Sequence, residues 1–543
     1  MVTGWVAHIV SSPGRRFLRT GKLGVGHLLL IAAVTPIFAQ DSSIPSEAPP
    51  ARPAAPPHET ISAPDLTLGE PLTLQQAIHL ALLNNRTLEK AGLDRESQRF
   101  DLRVAEDEFF PNLDLTSTVR YNPLTEDGLE TTTRTGSIAA TVSQRAPTGA
   151  RFGLTWDTLA TDTVGSRSKV YDSGLYLQLD QPLLRGAGLR TNLTNLRVAR
   201  LNEQVNLLEY KRIVMNTVSS VIFSYRALLQ AHRQVEVAIS ARERAREQLR
   251  INNALVAHGI IPPVEIVQTE ADIANQELNV LSARGILDAA RYALVKILDV
   301  DRSTIYRPID EITIPEFNLD TETARRLAYE NRPDYQQVLQ GKHVTQLSEY
   351  AARNNRLWAL NLSSRYRLTG TDNSFPNALD RSLSRLNEDW NVGVTLQVPF
   401  GDLTREQAHV RARIRDQKAS LDVTEVTENI EIEVRESLRI VRLAYQRAKV
   451  AAVARELAER KLEIEKGKLQ VGRTTNFAIV TFQNDLITSR LNEIGAQIAY
   501  LNSLTTLEQT LGTTLDVWGI RIQELSRLSN SSQPAPVPVA ATP

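Results

Sequence analysis

The chain contains no cysteine among its 543 residues. That absence removes disulfides, thiolate metal centres, a cysteine nucleophile and an acylated N-terminal cysteine of the lipoprotein kind. Any attachment to a membrane must then come from the fold. An excess of either charge is also missing. Lys and Arg together number 62, as do Asp and Glu, which is not the basic footprint of a nucleic-acid binder. Long apolar runs are lacking too: the stretch Leu28 to Val34 falls short of the ~20 residues that cross a bilayer as a helix, and no later segment is long and apolar enough. Nor is there a catalytic constellation. The eight histidines are scattered without metal-ligand spacing. Gly186-Ala187-Gly188 lacks the third glycine and the downstream acid of a dinucleotide fingerprint, and no serine nucleophile elbow occurs. The sequence reads as that of a protein without catalytic residues, metal site or cofactor.

What is present begins with a secretion signal. Arg15, Arg16, Arg19 and Lys22 precede the short apolar run, and Ile37-Phe38-Ala39-Gln40 follows it, so residues 1–40 are expected to be a signal peptide cleaved near Ala39. Residues 41–64, rich in Pro, Ala and Ser, are expected to be an unstructured lead-in, and residues 521–543 a similar tail. An exported chain without an apolar helix is either soluble beyond the inner membrane or a β-barrel.

Between these ends the pattern occurs twice, giving two expected repeats at 65–310 and 311–520. Each opens with a short helix of the same spacing, Ala77, Leu80, Ala81, Asn84 and Ala324, Leu327, Ala328, Asn331. Each continues with strands, within 112–184 and 358–399, then a very long helix, a glycine turn and a second helix. The long helices are expected from Leu189 to Val256 and from Leu403 to Gly467, with Asp402 as N-cap of the second. At ~1.5 Å per residue each would reach on the order of 100 Å. Ile430, Val434, Leu438, Val441, Tyr445, Ala448 and Ala452 form one narrow apolar stripe, which must be buried on neighbouring helices in a coiled coil or a barrel of helices.

The strands alternate strictly. Leu175, Leu177 and Leu179 alternate with Tyr176, Gln178 and Asp180, and Trp390, Val392, Val394 and Leu396 alternate with Asn391, Gly393, Thr395 and Gln397. Alternation over ~9 to 11 residues fits a strand with lipid on one side and water on the other, and also fits a soluble sandwich. Tyr121, Trp156, Tyr176 and Trp390 are candidates for an aromatic girdle. Four strands from one chain cannot close a barrel, and an open edge in lipid leaves backbone groups unpaired, so several copies must share one.

Leu72-Thr73-Leu74-Gln75-Gln76-Ala77, Gln181-Pro182-Leu183-Leu184 and Val471-Gly472-Arg473-Thr474, in this order and duplication, resemble the TolC family of outer-membrane factors from Leu72 to about Val517. The resemblance implies an α+β membrane protein: a transmembrane β-barrel shared by a homotrimer, and a long α-helical barrel in the periplasm. It implies an outer-membrane location, a passive role as the exit duct of a tripartite efflux pump or a type I secretion system, and two kinds of partner. These are a periplasmic adaptor and an inner-membrane pump or ABC exporter. In the family the two inter-helix turns receive the adaptor, which here are Gly259, Ile260, Ile261 and Gly472, Arg473, Thr474. Family carboxylates follow the turn glycine by six residues. Glu265 holds that place in the first repeat, but Ala478 holds it in the second, leaving Glu265, Arg473 and Asp485 as gate candidates. The competing reading is a secreted coiled-coil scaffold of the cell envelope, which accounts for the helices and leaves the strands unused.

The chain departs from the family plan at one place. Ser137 to Arg145 and Arg151 to Thr158, joined by Pro147-Thr148-Gly149, form an additional hairpin. It either joins the barrel, giving eighteen strands in a trimer rather than twelve, or folds over one rim. The flanking stretches, Asn122 to Thr135 and Leu159 to Ser173, are expected to be long external loops.

Overall fold

The computed structural model describes residues 69–126, 129–163, 169–385, 387–470 and 473–521, all in the unit Ala63–Pro543. The expected signal peptide and lead-in, the tail beyond residue 521, and Val471 and Gly472 lie outside the described residues.

The first half opens with β1 (Glu70–Leu72), α1 (Leu74–Asn84) and α2 (Arg86–Asp107). A capping box starts α1: Thr73 Oγ1 accepts from Gln76 N at 3.2 Å, and Gln76 Oε1 accepts from Thr73 N at 3.0 Å. Helix α2 is absent from the sequence reading, because Asn84-Asn85 looks like a helix end. Asn85 alone turns extended, and its Oδ1 accepts from Thr87 N at 2.9 Å, capping a new helix at once.

Four strands follow: β2 (Asn112–Glu126), β3 (Leu129–Arg145), β4 (Arg151–Thr163) and β5 (Val170–Pro182). The expected loops around Asn122 to Thr135 and Leu159 to Ser173 are instead largely strand. The β-branched Thr132, Thr133 and Thr135 continue the ladder, pairing with Pro123, Asn122 and Arg120.

After β5 the chain forms α3 (Leu189–Asn192), α4 (Thr194–Ala257) and α5 (Val264–Leu298). The single helix expected from Leu189 is therefore broken at Leu193, which leaves helical geometry while the side chain of Asn192 donates to the carbonyls of Gly186 and Gly188. The second half consists of β6 (Tyr306–Pro308), α6 (Thr321–Asn331), α7 (Pro333–Asn355), β7 (Ala359–Asp372), α8 (Phe375–Leu383), β8 (Glu388–Gln397), α9 (Leu403–Gln470), α10 (Asn476–Leu511) and α11 (Thr514–Val517). Helix α7 escapes the sequence reading as α2 does: only Arg332 is extended between α6 and a new helix with proline at its first position. Asp402 Oδ1 accepts from Thr404 N at 3.1 Å at the start of α9.

The sheet has one order, β2-β3-β4-β5-β7-β8, antiparallel throughout. The register aligns whole rows across six strands. Leu113, Val142, Leu154, Leu177, Tyr366 and Trp390 form one row, and Asp114, Thr141, Thr155, Tyr176, Arg367 and Asp389 the next. One face is thus apolar, and largely uncovered, with Leu115 74% and Trp390 72% exposed. The other is polar. Tyr176 belongs to the polar row, under the Arg367 guanidinium at 5.0 Å, so it leaves the proposed girdle, while Tyr121, Trp156 and Trp390 stay on the apolar side. Helix α8 packs on the apolar side at the end remote from the helices, with Phe375 against Trp156 and Tyr171.

The helices form a layer four abreast. Beside the sheet the order is α2, α4, α7, α9; at the far end it is α5, α4, α10, α9. At ~1.5 Å per residue α4 and α9 extend about 96 and 102 Å. The apolar stripe on α9 is buried at Ile430, Val434, Leu438, Val441 and Ala448, against α6 and α10. Among the described residues no helix is long and apolar enough to cross a membrane.

Candidate functional site

The two helix hairpins, α4–α5 and α9–α10, end in turns at the extremity farthest from the sheet. The first is set by Gly259. Its φ of +68° is one that a side chain disfavours. Gly259 N donates to Val256 O and Ile260 N to Leu255 O, both at 2.9 Å, which is the hydrogen-bond pattern of a Schellman cap. Pro262 and Pro263 then block any helix until Val264. This geometry leaves Ile260, Val264 and Val267 exposed, with Ile261 half-buried.

At the second turn Gly472 lies outside the described residues. Arg473 is exposed and its backbone N–H donates to Lys468 O at 2.9 Å. Thr474 Oγ1 donates to Glu465 Oε1 at 2.6 Å. That hydroxyl and the Lys468 ammonium hold the Glu465 carboxyl below the usual carboxylate range. Thr475 caps α10, and Phe477 in its first turn is exposed. Each turn therefore presents apolar side chains beside ordered polar ones.

The three gate candidates are not gathered within one copy. Glu265 stands in the first turn of α5 with one carboxylate oxygen, Oε2, buried and unbonded. No ion pair joins it to Arg473 among the described residues. Asp485 instead pairs with Lys461 at 3.3 Å, and that ammonium lies 3.7 Å from the Phe482 ring centroid.

Sequence reading misses what joins the two turns. Thr269 Oγ1, fully buried, accepts from Asn252 Nδ2 at 2.7 Å and from Asn476 Nδ2 at 3.1 Å, while donating to Glu265 O at 2.9 Å. Two turns further from the tip, Gln276 Nε2 donates to Asp272 Oδ1 at 3.1 Å and to Asn484 Oδ1 at 3.3 Å. These contacts tie α4, α5 and α10 together with hydrogen bonds. The buried stripe on α5 runs Thr269, Asp272, Gln276, Val280, Ala283, Leu287, at helical spacing throughout. It is polar toward the tip and apolar toward the sheet. A search for helical spacing in polar residues as well as apolar ones would have found it.

Sequence comparison assigns residues 77–299 to the family described as "Outer membrane efflux protein". No curated protein matches the chain in sequence. Among solved structures, the Campylobacter jejuni CmeC outer membrane channel is similar with TM-score 0.61 and 16% identity, over 84% of this chain and 89% of that one. The outer membrane protein VceC of Vibrio cholerae gives 0.59 and 14%, over 81% and 96%. The open state of the Neisseria gonorrhoeae MtrE outer membrane channel gives 0.59 and 14%, over 81% and 89%. These likenesses establish the fold.

Proposed function

We infer, from the premise that this chain is a member of the outer membrane efflux protein family through residues 77–299, that it is a passive duct through the outer membrane extending into the periplasm. Three copies form it, serving as the exit of a tripartite efflux pump or a type I secretion system.

The observation that carries this reading is that both flanks of the chain are unfinished in a matching way. On one flank lie β2, α2 and α5; on the other lie β8 and α9. Strands β2 and β8 are both sheet edges and run in opposite directions, so β8 of one copy meets β2 of the next as an antiparallel pair. Unpaired edges beside an apolar exposed face are untenable in lipid and in water alike. Lower down, Leu443, Val450, Leu457 and Ile464 lie exposed on α9 at steps of seven, and Val267, Leu278 and Leu281 lie exposed on α5. These outer helices pack on each other once the ring closes. The recurrence of helix pair, strands, long helix and second helix supports two internal repeats, with the proposed bounds 65–310 and 311–520. A coiled-coil scaffold would leave the amphipathic sheet without a purpose.

The exposed tips, Gly259 to Ile261 on one hairpin and Gly472 to Thr474 on the other, are the surface offered to a periplasmic adaptor, which brings the inner-membrane pump or ABC exporter. Ring closure also sets Glu265, on the outer helix α5, beside Arg473 at the foot of the next copy's α9, as a contact that holds the mouth closed. Asp485, engaged by Lys461, is the weaker gate candidate.

Fractionation tests the reading. The protein is expected in the outer membrane, starting near Gln40 or Asp41, and as a trimer in mild detergent. A stable monomer in the soluble periplasmic fraction would overturn it.

A further inference from the structure

Resting on the three-copy reading above, we propose that the hairpin β3–β4 is part of the barrel wall, so that the ring closes eighteen strands and the duct crosses the outer membrane without narrowing. Three observations carry this.

The hairpin stands within the sheet. Strand β3 pairs with β2 from Asn112↔Ser143 to Glu126↔Leu129, and β4 pairs with β5 from Arg151↔Asp180 to Thr161↔Val170. Strand β2 makes no pair with β5, so without the hairpin the sheet would be cut in two. Its two faces are also in phase with those of its neighbours. Val142 and Leu154 continue the apolar row between Leu113 and Leu177, and Thr141 and Thr155, their hydroxyls 3.1 Å apart, continue the polar row between Asp114 and Tyr176. A hairpin folded over a rim needs no such phase.

Third, the connecting turn is built into the junction between sheet and helices. Gly149, at φ +98°, leaves no room for a Cβ, which would lie 2.5 Å from Gly186 O. Gly188 N donates to Thr148 O at 3.0 Å, and Arg145 Nη2 donates to Asn192 Oδ1 at 2.9 Å.

Girth gives the consequence. Strands ~4.8 Å apart and tilted ~40° occupy about 6.3 Å of circumference each, so eighteen make about 113 Å and twelve about 75 Å. Twelve helices, four per copy, at 8–10 Å spacing need roughly 96–120 Å. Eighteen strands therefore continue the helical wall at equal girth, while twelve would pinch it to about two thirds. The backbone diameter at the membrane becomes about 36 Å rather than about 24 Å, and the exit admits solutes that the narrower barrel excludes.

The absence of native cysteine makes the test direct. Single variants Thr141→Cys, Val142→Cys, Leu154→Cys and Thr155→Cys are labelled in outer membranes with a water-soluble maleimide. Thr141→Cys and Thr155→Cys are expected to react, and Val142→Cys and Leu154→Cys to react about tenfold more slowly, as lipid-facing positions do. Equal rates at all four would place the hairpin outside the wall and overturn the proposal. Alongside, residues 122–168 are replaced by Asn-Gly, joining Tyr121 to Lys169 with β2 and β5 in phase. End-on electron-microscopic views of purified protein are expected to give barrels of about 36 Å for the intact chain and about 24 Å for the shortened one. Trimers with equal diameters would sink the eighteen-strand wall alone. Failure of the intact chain to form trimers would sink the duct itself.

Discussion

Thr269 is the residue on which the tip depends. Its hydroxyl oxygen takes two amide donors, from Asn252 and Asn476, in a fully buried place. Thr269→Val keeps the shape and strands both donors, each of which costs about 1–3 kcal/mol when unsatisfied. Hydrogen exchange on the assembled protein is expected to show lost protection at residues 264–280 and 476–486, with 287–298 unchanged, and Thr269→Ser is expected to restore it. Equal protection in Thr269→Val would mean that the seam is held by packing instead. In the proposed ring Arg473 acts at the same level, between copies. Arg473 is exposed and Glu265 half-buried, and ion pairs open to solvent are worth only ~0.2–1 kcal/mol each, so in the proposed ring three such pairs would bias the mouth toward closure by about 3 kcal/mol at most, a range an adaptor can reverse. Arg473→Glu is expected to raise single-channel conductance in planar bilayers, and adding Glu265→Arg to lower it partway back. Conductance unchanged in Arg473→Glu would make this arginine an ordinary solvated turn residue.

Among elements, α2 is held to α4 by one ion pair of high quality. Arg95, buried, reaches Glu203 through two hydrogen bonds of 2.9 and 2.6 Å, and these hold the Glu203 carboxyl below its usual range despite burial. The sign follows from that depression. The docking contribution is complete above the ordinary carboxylate value near 4.5, and it is lost as pH falls through the lower folded value. Arg95→Gln is expected to cost about 1–3 kcal/mol at neutral pH and to flatten the acid limb of thermal unfolding as pH falls below 4.5. An acid limb as steep as the parent's would show that other carboxylates set it. Helix α2 is also where the sequence misleads, since an Asn pair reads as a stop and only the three-dimensional elbow at Asn85 reveals a restart. By contrast the α9 stripe and the strand alternation were legible, because a buried face imposes its period on the residue types. The tip network was not. Polar residues at helical spacing look like a solvated face until a partner helix is seen to cover them.

At the scale of the whole molecule, burial changes character along the long axis. Toward the middle of α4, where the end of α5 meets α1, Val214, Val218, Ile222, Leu294 and Leu298 form a dense apolar core. Toward the tips the same interfaces are stitched by Asn, Gln and Thr. Apolar packing is insensitive to small sliding only within a rotamer well, whereas hydrogen bonds between amides can be exchanged for others, including bonds to water. The proposed duct is thus firm at its middle and adjustable where a partner would engage it.

The unfinished flanks have a genetic meaning. In the proposed three-copy ring, a copy damaged only at its β8 edge still offers β2 and α5, and so it takes a place that it then fails to close. With sound and faulty chains made in equal amounts, only about one trimer in eight is wholly sound. The proposed ring therefore predicts that lesions confined to the edges are dominant over the intact gene, while lesions that prevent the chain from folding at all are recessive.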